Sequence, residues 1–101
     1  MRAISIKQPW AEQIAQGKKR VEYRGARLSP GPLLILASKA ADRGGKHLPR
    51  GVAVCVVELV RVSGEPPEVR WHLESPRRVR PIVARSFGWI VHVSNRRIRY
   101  V

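Results

Sequence analysis

Apolar positions along this chain fall into short runs and alternations rather than long stripes, a pattern that predicts a domain built mainly of strands. Arg2–Ile6 alternates weakly and reads as a first strand. Pro9–Gln16 reads as a short helix, with Pro9 at the first helical position, where its missing N–H is no loss. Trp10 and Ile14 lie four apart on one face with Ala11 and Ala15 alongside, while Glu12, Gln13 and Gln16 face water. Gly17 supplies the left-handed stop, and Lys18–Arg24 follows as a strand entered through a basic turn. Leu28–Pro32 holds Ser-Pro-Gly-Pro, a turn signal, and Leu33–Ala37 is an apolar strand. Asp42–Gly51, bearing Gly, Lys and Arg, reads as a mobile loop. Val52–Val62 is β-branched and apolar on both faces, which predicts a strand covered on both sides. Ser63–Pro67 is a turn, and Glu68–Glu74 is undecided between one helical turn and irregular chain. Arg77–Arg85 is a basic extended segment broken by Pro81. Phe87, Trp89, Val91 and Val93 alternate on one strand face, and Ile98–Val101 reads as a final edge strand. The chain contains no internal repeat. Five or six strands and one clear helix predict an α+β class domain, a small mixed β-barrel with one or two short helices.

Length and composition narrow the setting. One hundred and one residues make a single domain over 1–101, and a chain of this size buries only ~65% of the surface its unfolded form exposes. At 44% hydrophobic residues it is too apolar for a disordered basic tail. Its longest apolar run, Val52–Val57, falls far short of the ~18 residues of a membrane span. No membrane partner is expected. Met1–Trp10 lacks the apolar region and cleavage site of a signal peptide, so a cytoplasmic location is expected. Cys55, the single cysteine, sits in a valine run and reads as a small buried hydrophobe. The net charge is +13, and fifteen of the twenty basic residues are Arg, whose planar fork suits phosphates and bases. That charge favours a polyanion, nucleic acid above all.

Candidate chemistry is sparse outside one segment. His47, His72 and His92 lack ligand-like spacing and the lone Cys has no partner, so neither metal nor cofactor is expected. Gly44-Gly45-Lys46 lacks the strand–loop–helix setting of a phosphate loop, and no nucleophile elbow or His-centred triad occurs. Gly17-Lys18-Lys19-Arg20-Val21-Glu22-Tyr23-Arg24 is dense: four cations surround one carboxylate directly after a helix stop. Strand parity puts Glu22 and Arg24 on one face and Val21 and Tyr23 on the other. Lys19 joins Glu22 only if it sits in the turn before that parity begins. The competing reading is a solvated basic strand with a surface ion pair. Glu58 shares a face with Val52, Val54, Val56, Val60 and Val62 if its strand is regular. There it is either paired with a neighbouring Arg or marks where the face reaches a cleft. Periodicity places Trp10 and Trp89 in the core rather than as stacking platforms, and leaves Trp71 unplaced.

Ser5-Ile6-Lys7-Gln8-Pro9-Trp10, followed by Gly17-x-Lys19-x-x-Glu22-x-Arg24, resembles the ASCH domain, whose signature is GxKxxExR after a short helix. The strands at Leu33–Ser38 and Gly51–Val62 and the later Phe87-Gly88-Trp89 fit as well, so the resemblance covers about residues 3 to 96. It implies a PUA-like barrel with a cleft beside the signature and a role in binding RNA or another nucleic acid. Some members are enzymes. One branch hydrolyses the acetyl amide of an acetylated cytidine with the signature Lys, a Thr three residues later as nucleophile and an assisting strand Glu; another member is assigned ribonuclease activity. By position, Lys19 matches the Lys and Glu58 the assisting Glu. Glu22 stands at the nucleophile position, and a carboxylate does not replace a hydroxyl that must be acylated.

Two functions follow. As a binding module, the domain holds RNA or single-stranded nucleic acid in a basic cleft. Lys19 and Arg24 then contact phosphate or base edges and Glu22 orients them or reads an exocyclic amine. Lys7, Arg20, Arg27 and Lys39 extend the track. Neutralising about five phosphates gives a slope of log affinity against log salt of roughly −3 to −4. As an enzyme on RNA or a modified nucleoside, it uses Lys19, Glu22 and Glu58 as acid–base groups. A third reading, docking on a larger ribonucleoprotein, rests on Arg77, Arg78 and Arg80.

Overall fold

The computed structural model describes residues 1–83 and 90–101. Six strands, β1 (Arg2–Gln8), β2 (Val21–Arg24), β3 (Gly31–Ala41), β4 (Ala53–Glu65), β5 (Glu68–Arg78) and β6 (Val91–His92), form one mixed sheet. Their order is β2-β5-β4-β3-β1-β6. Only β1 and β3 run parallel; the other neighbours are antiparallel. The crossover between them carries helix α1 (Trp10–Ala15) and then β2, which crosses to the far edge beside β5. The sheet curls far enough that Arg24 of β2 donates from its guanidinium to the Ser5 carbonyl of β1 at 3.1 Å, although three strands stand between them in the order. This curl is the barrel-like character expected from the sequence.

Both faces of the central strands are buried, by different covers. On one side Cys55, Val57, Leu59, Leu33, Ile35, Ile4, Ile6 and Trp71 pack under Ala11, Ile14 and Ala15 of α1. On the other, Ala3, Leu34, Leu36, Ala53 and Val56 lie under Val79, Val93 and Ile98. β4 is thus covered twice, as its apolarity predicts, by a helix and by the C-terminal stretch. Cys55 is fully buried, and loss of solvation pushes its thiol up to about 12.

Several sequence expectations change. Pro9 stands one residue before α1 and accepts from Gln13 N at 3.1 Å. Glu68–Glu74, undecided from sequence, belongs to a long strand, Glu68–Arg78, with Val69, Trp71 and Leu73 pointing inward. The 42–51 loop is tied down rather than free. Asp42 N donates to Gln8 O at 2.8 Å, Gln8 Nε2 to Pro49 O at 2.9 Å and Gly51 N to Ala37 O at 2.7 Å. Gly45 packs so closely on Gln8 that a Cβ there would stand 2.2 Å from the Gln8 carbonyl carbon. Among the described residues the final segment contributes an isolated bridge, Val79 to Tyr100, rather than a strand. Of the Phe87–Val93 strand, Val91–His92 is β6; Phe87 and Trp89 lie outside the described residues. No helix of the described residues is long and apolar enough to cross a membrane.

Candidate nucleic-acid interface

The helix stop builds one wall of a cleft. Gly17 takes φ +76°, a conformation costly for any residue with a Cβ. The reversed chain lets Lys18 N and Lys19 N both donate to Gln13 O, at 2.9 and 3.1 Å. Lys19 therefore sits in the turn before β2, which is how it meets Glu22 despite its parity. Its Nζ donates to Val21 O at 2.7 Å and stands 3.5 Å from Glu22 Oε1. Alternation along β2 brings Arg24 to the same side, where its Nε donates to Glu22 Oε2 at 2.8 Å. The guanidinium also lies 5.8 Å from the centre of the buried Trp71 ring. The side chains of Lys19, Glu22 and Arg24 are 20, 13 and 22% exposed, so this is an enclosed cluster rather than a solvated surface pair.

The opposite wall comes from β1, the start of α1 and the end of β3. Trp10 Nε1 donates to Asp42 Oδ2 at 2.9 Å, and Lys7 Nζ lies 3.7 Å from Asp42 Oδ1. Between the walls is a cleft of about 640 Å³, with Ser5, Ser38 and Tyr23 also on its lining. Its size falls within the roughly 300–1,000 Å³ of small-molecule sites. Trp10 is 40% exposed here. The expectation of a core position is corrected: as the first residue of α1 it overhangs the packed sheet, whereas Ile14, one turn on, reaches the core with Ala11 and Ala15. Among the described residues Trp71 is the core tryptophan, fully buried, with Nε1 donating to Ala26 O at 3.0 Å.

Of the residues singled out in the sequence, Lys7, Lys19, Glu22 and Arg24 converge on this cleft. The other three cations of the proposed track do not line it. Arg20 donates to Gly17 O and borders a smaller hollow beside Glu74 and Ser75. Arg27 staples its loop to the Val62 and Gly64 carbonyls, and Lys39 is exposed on β3. Glu58 is neither at the cleft nor ion-paired among the described residues; it is exposed opposite Glu74. Val56, two residues earlier, is buried under the C-terminal cover, and Glu58 marks where the face emerges from beneath it. Asp42, Tyr23 and the exposed Trp10 were missed as site residues. Asp42 reaches the cleft only because β3 runs parallel to β1, which no local motif reveals.

One further carboxylate lies outside the cleft. Glu12 of α1 accepts both arms of the Arg78 guanidinium, NH1 to Oε1 at 2.9 Å and NH2 to Oε2. The Arg78 hydrogen bond holds the Glu12 carboxyl below its ordinary value, and the same bond raises Arg78.

The sequence profile of the ASCH domain matches residues 4–90, which includes the helix stop, the signature and both walls of the cleft. The chain belongs to the ASCH domain family. Crystal structures of an ASCH protein from Zymomonas mobilis share this ASCH domain's fold at a TM-score of 0.71 and 15% identity, covering 94% of this chain and 88% of that one. Its Tyr-to-Phe and Ser-to-Ala mutants match equally, each over 93% of this chain and 90 or 88% of theirs. At that identity the likeness establishes the fold alone. No curated protein matches the chain.

Proposed function

We propose that this ASCH domain binds single-stranded RNA, taking an unstacked nucleotide into the cleft beside the Gly17–Arg24 signature. The observation that carries the reading is the enclosed Lys19–Glu22–Arg24 cluster opening on a cleft whose other wall bears an exposed tryptophan. Lys19 and Arg24 present cationic groups to the cleft, the type that suits phosphate or base acceptors. Glu22, oriented by both, accepts from an exocyclic amine, as carboxylates do from cytosine. Trp10 offers a face for stacking, worth about 1–3 kcal/mol per base. Unpaired bases are available for such contacts only in single strands. Titrating labelled oligoribonucleotide against wild type and Lys19→Ala at several salt concentrations tests the reading. Three cleft cations on phosphates give a slope of about −2 for a short strand. A flat salt dependence, or unchanged affinity in Lys19→Ala, defeats it.

A second reading, catalysis on RNA or a modified nucleoside, keeps one supporting observation: Lys19 Nζ and Glu22 Oε1 stand 3.5 Å apart in a half-closed site. Glu58, outside the cleft, adds nothing to it. Mass spectrometry of total RNA and modified nucleosides incubated with wild type or Lys19→Ala separates the two, since only catalysis yields cleavage or acyl loss that the variant lacks.

A further inference from the structure

Among the described residues, the Lys and Arg side chains that line the cleft are Lys7, Lys19 and Arg24, a small part of the chain's twenty basic residues. The other side of β2 bears on this. Alternation turns Tyr23 outward at the cleft rim, where it is 67% exposed. The antiparallel registers align Tyr23 with Arg70 of β5, and Arg70 with Ser63 of β4. In the adjacent row, Val21, His72 and Arg61 align in the same way. Val69, Trp71 and Leu73 fill the inward positions, so both rows stand on the solvent side of the sheet.

The polar groups of these rows are arranged to donate. His72 Nε2 lies 2.8 Å from Ser63 Oγ, and Arg61 NH2 lies 3.4 Å from His72 Nδ1. A guanidinium only donates, so Nδ1 accepts and the ring proton sits on Nε2, given to Ser63 Oγ. The Ser63 hydroxyl hydrogen is then left for an outside acceptor.

Carboxylates border the rows on both sides. Glu65 faces Glu68 beyond the Arg70 row, and Glu58 faces Glu74 beyond the His72 row. These are four of the chain's seven acidic residues. Like charges directly across a strand pair are destabilising, so their placement does not serve the fold. It makes a cationic, donor-rich band repulsive to anions at both margins.

We propose that this outer face of β2, β5 and β4 continues the cleft and carries the next nucleotides of a single-stranded RNA out over Tyr23. Tyr23 stacks on the first base outside, Arg70 and Arg61 take phosphates, and Ser63 donates to a phosphate oxygen. The proposal rests on the reading of the cleft as an RNA site. With two more phosphates neutralised, the salt slope for a long strand steepens from about −2 to about −3.5.

The test is fluorescence anisotropy with labelled oligocytidylates, a trinucleotide and a decanucleotide, on wild type, Lys19→Ala and the double variant Arg61→Ala/Arg70→Ala, with melting followed by circular dichroism. The double variant is expected to bind the trinucleotide like wild type and the decanucleotide about tenfold more weakly, its salt slope shallower by about 1.4. Unchanged decanucleotide affinity overturns the proposal. So does an equal loss at both lengths, since the arginines then act on the cleft. Decanucleotide binding that needs Arg61 and Arg70 without any trinucleotide binding refutes the cleft reading and leaves the face standing. A polyglutamate peptide that binds through Arg61 and Arg70 more tightly than the decanucleotide reassigns the face to an acidic protein and overturns it.

Discussion

Glu12 and Glu22 both hold an arginine, one across 66 positions of chain and the other two residues away, yet only Glu22 faces an opening. Glu12 and Arg78 meet fork to fork, Glu12 also accepting from Gln16, and the pair fastens α1 to the end of β5. Glu22 is divided between two cations, Lys19 and Arg24, all three lining the cleft at the mouth of the curled sheet. An ion pair set away from the cleft serves the fold; an ion cluster that lines a cavity can also meet a ligand. Charge context alone does not separate the two, and the direction each side chain faces does.

The comparison breaks most sharply at Lys19. Replacing it with Ala removes a charged donor worth about 2 kcal/mol, so oligoribonucleotide affinity falls about 30-fold while the melting temperature barely moves. Gly17→Ala sharpens the comparison from the backbone side. A Cβ at Gly17 would meet only Pro76 Cγ at 3.8 Å, so its cost of about 1 kcal/mol comes from φ, and both stability and affinity should drop as Lys19 shifts. Glu12→Gln is expected to do the reverse of Lys19→Ala: about 1 kcal/mol of stability lost in thermal unfolding, with unchanged RNA affinity.

Acid adds a signature to that variant. The Glu12 carboxyl titrates below its unfolded value of 4.5, so its contribution is complete above that pH and is lost as pH falls through the lowered value. Wild type and Glu12→Gln should converge in melting temperature at acid pH; a gap that stays constant counts against the pair. The smallest effect belongs to Trp10→Phe. It keeps an aromatic face and loses the bond to Asp42, so affinity should fall only a few-fold.

Much of this was legible in the sequence because it is local. The helix stop at Gly17, the doubly apolar β4 and the Glu22–Arg24 parity depend on neighbours one to four residues away. Features set by distant chain were not. β5 alternates Val69, Trp71 and Leu73, but its outward charges and Pro76 resemble a loop, and its pairing with β2 lies 45 or more residues off in sequence. Trp10 obeys helical periodicity and still misses the core, because periodicity assigns a face but not how far the sheet extends beneath a helix end. Asp42 enters the cleft through the parallel β1–β3 register alone. Glu58 follows the expected face, but the cover that buries Val56 does not reach it.

Gln8, the buried polar side chain at the junction of β1 and α1, has a consequence for motion. Its side chain accepts from Glu12 N at 2.9 Å and donates to Pro49 O, while its carbonyl accepts from Asp42 N. Strand, helix and loop are thereby latched at one residue just behind Trp10 and Asp42. To widen on this side, the cleft has to strip a fully enclosed amide of its partners at a cost of about 1–3 kcal/mol for each group left unpaired. Breathing of that wall should therefore be rare and concerted, with the Glu12 and Asp42 amides exchanging hydrogen in a single opening event.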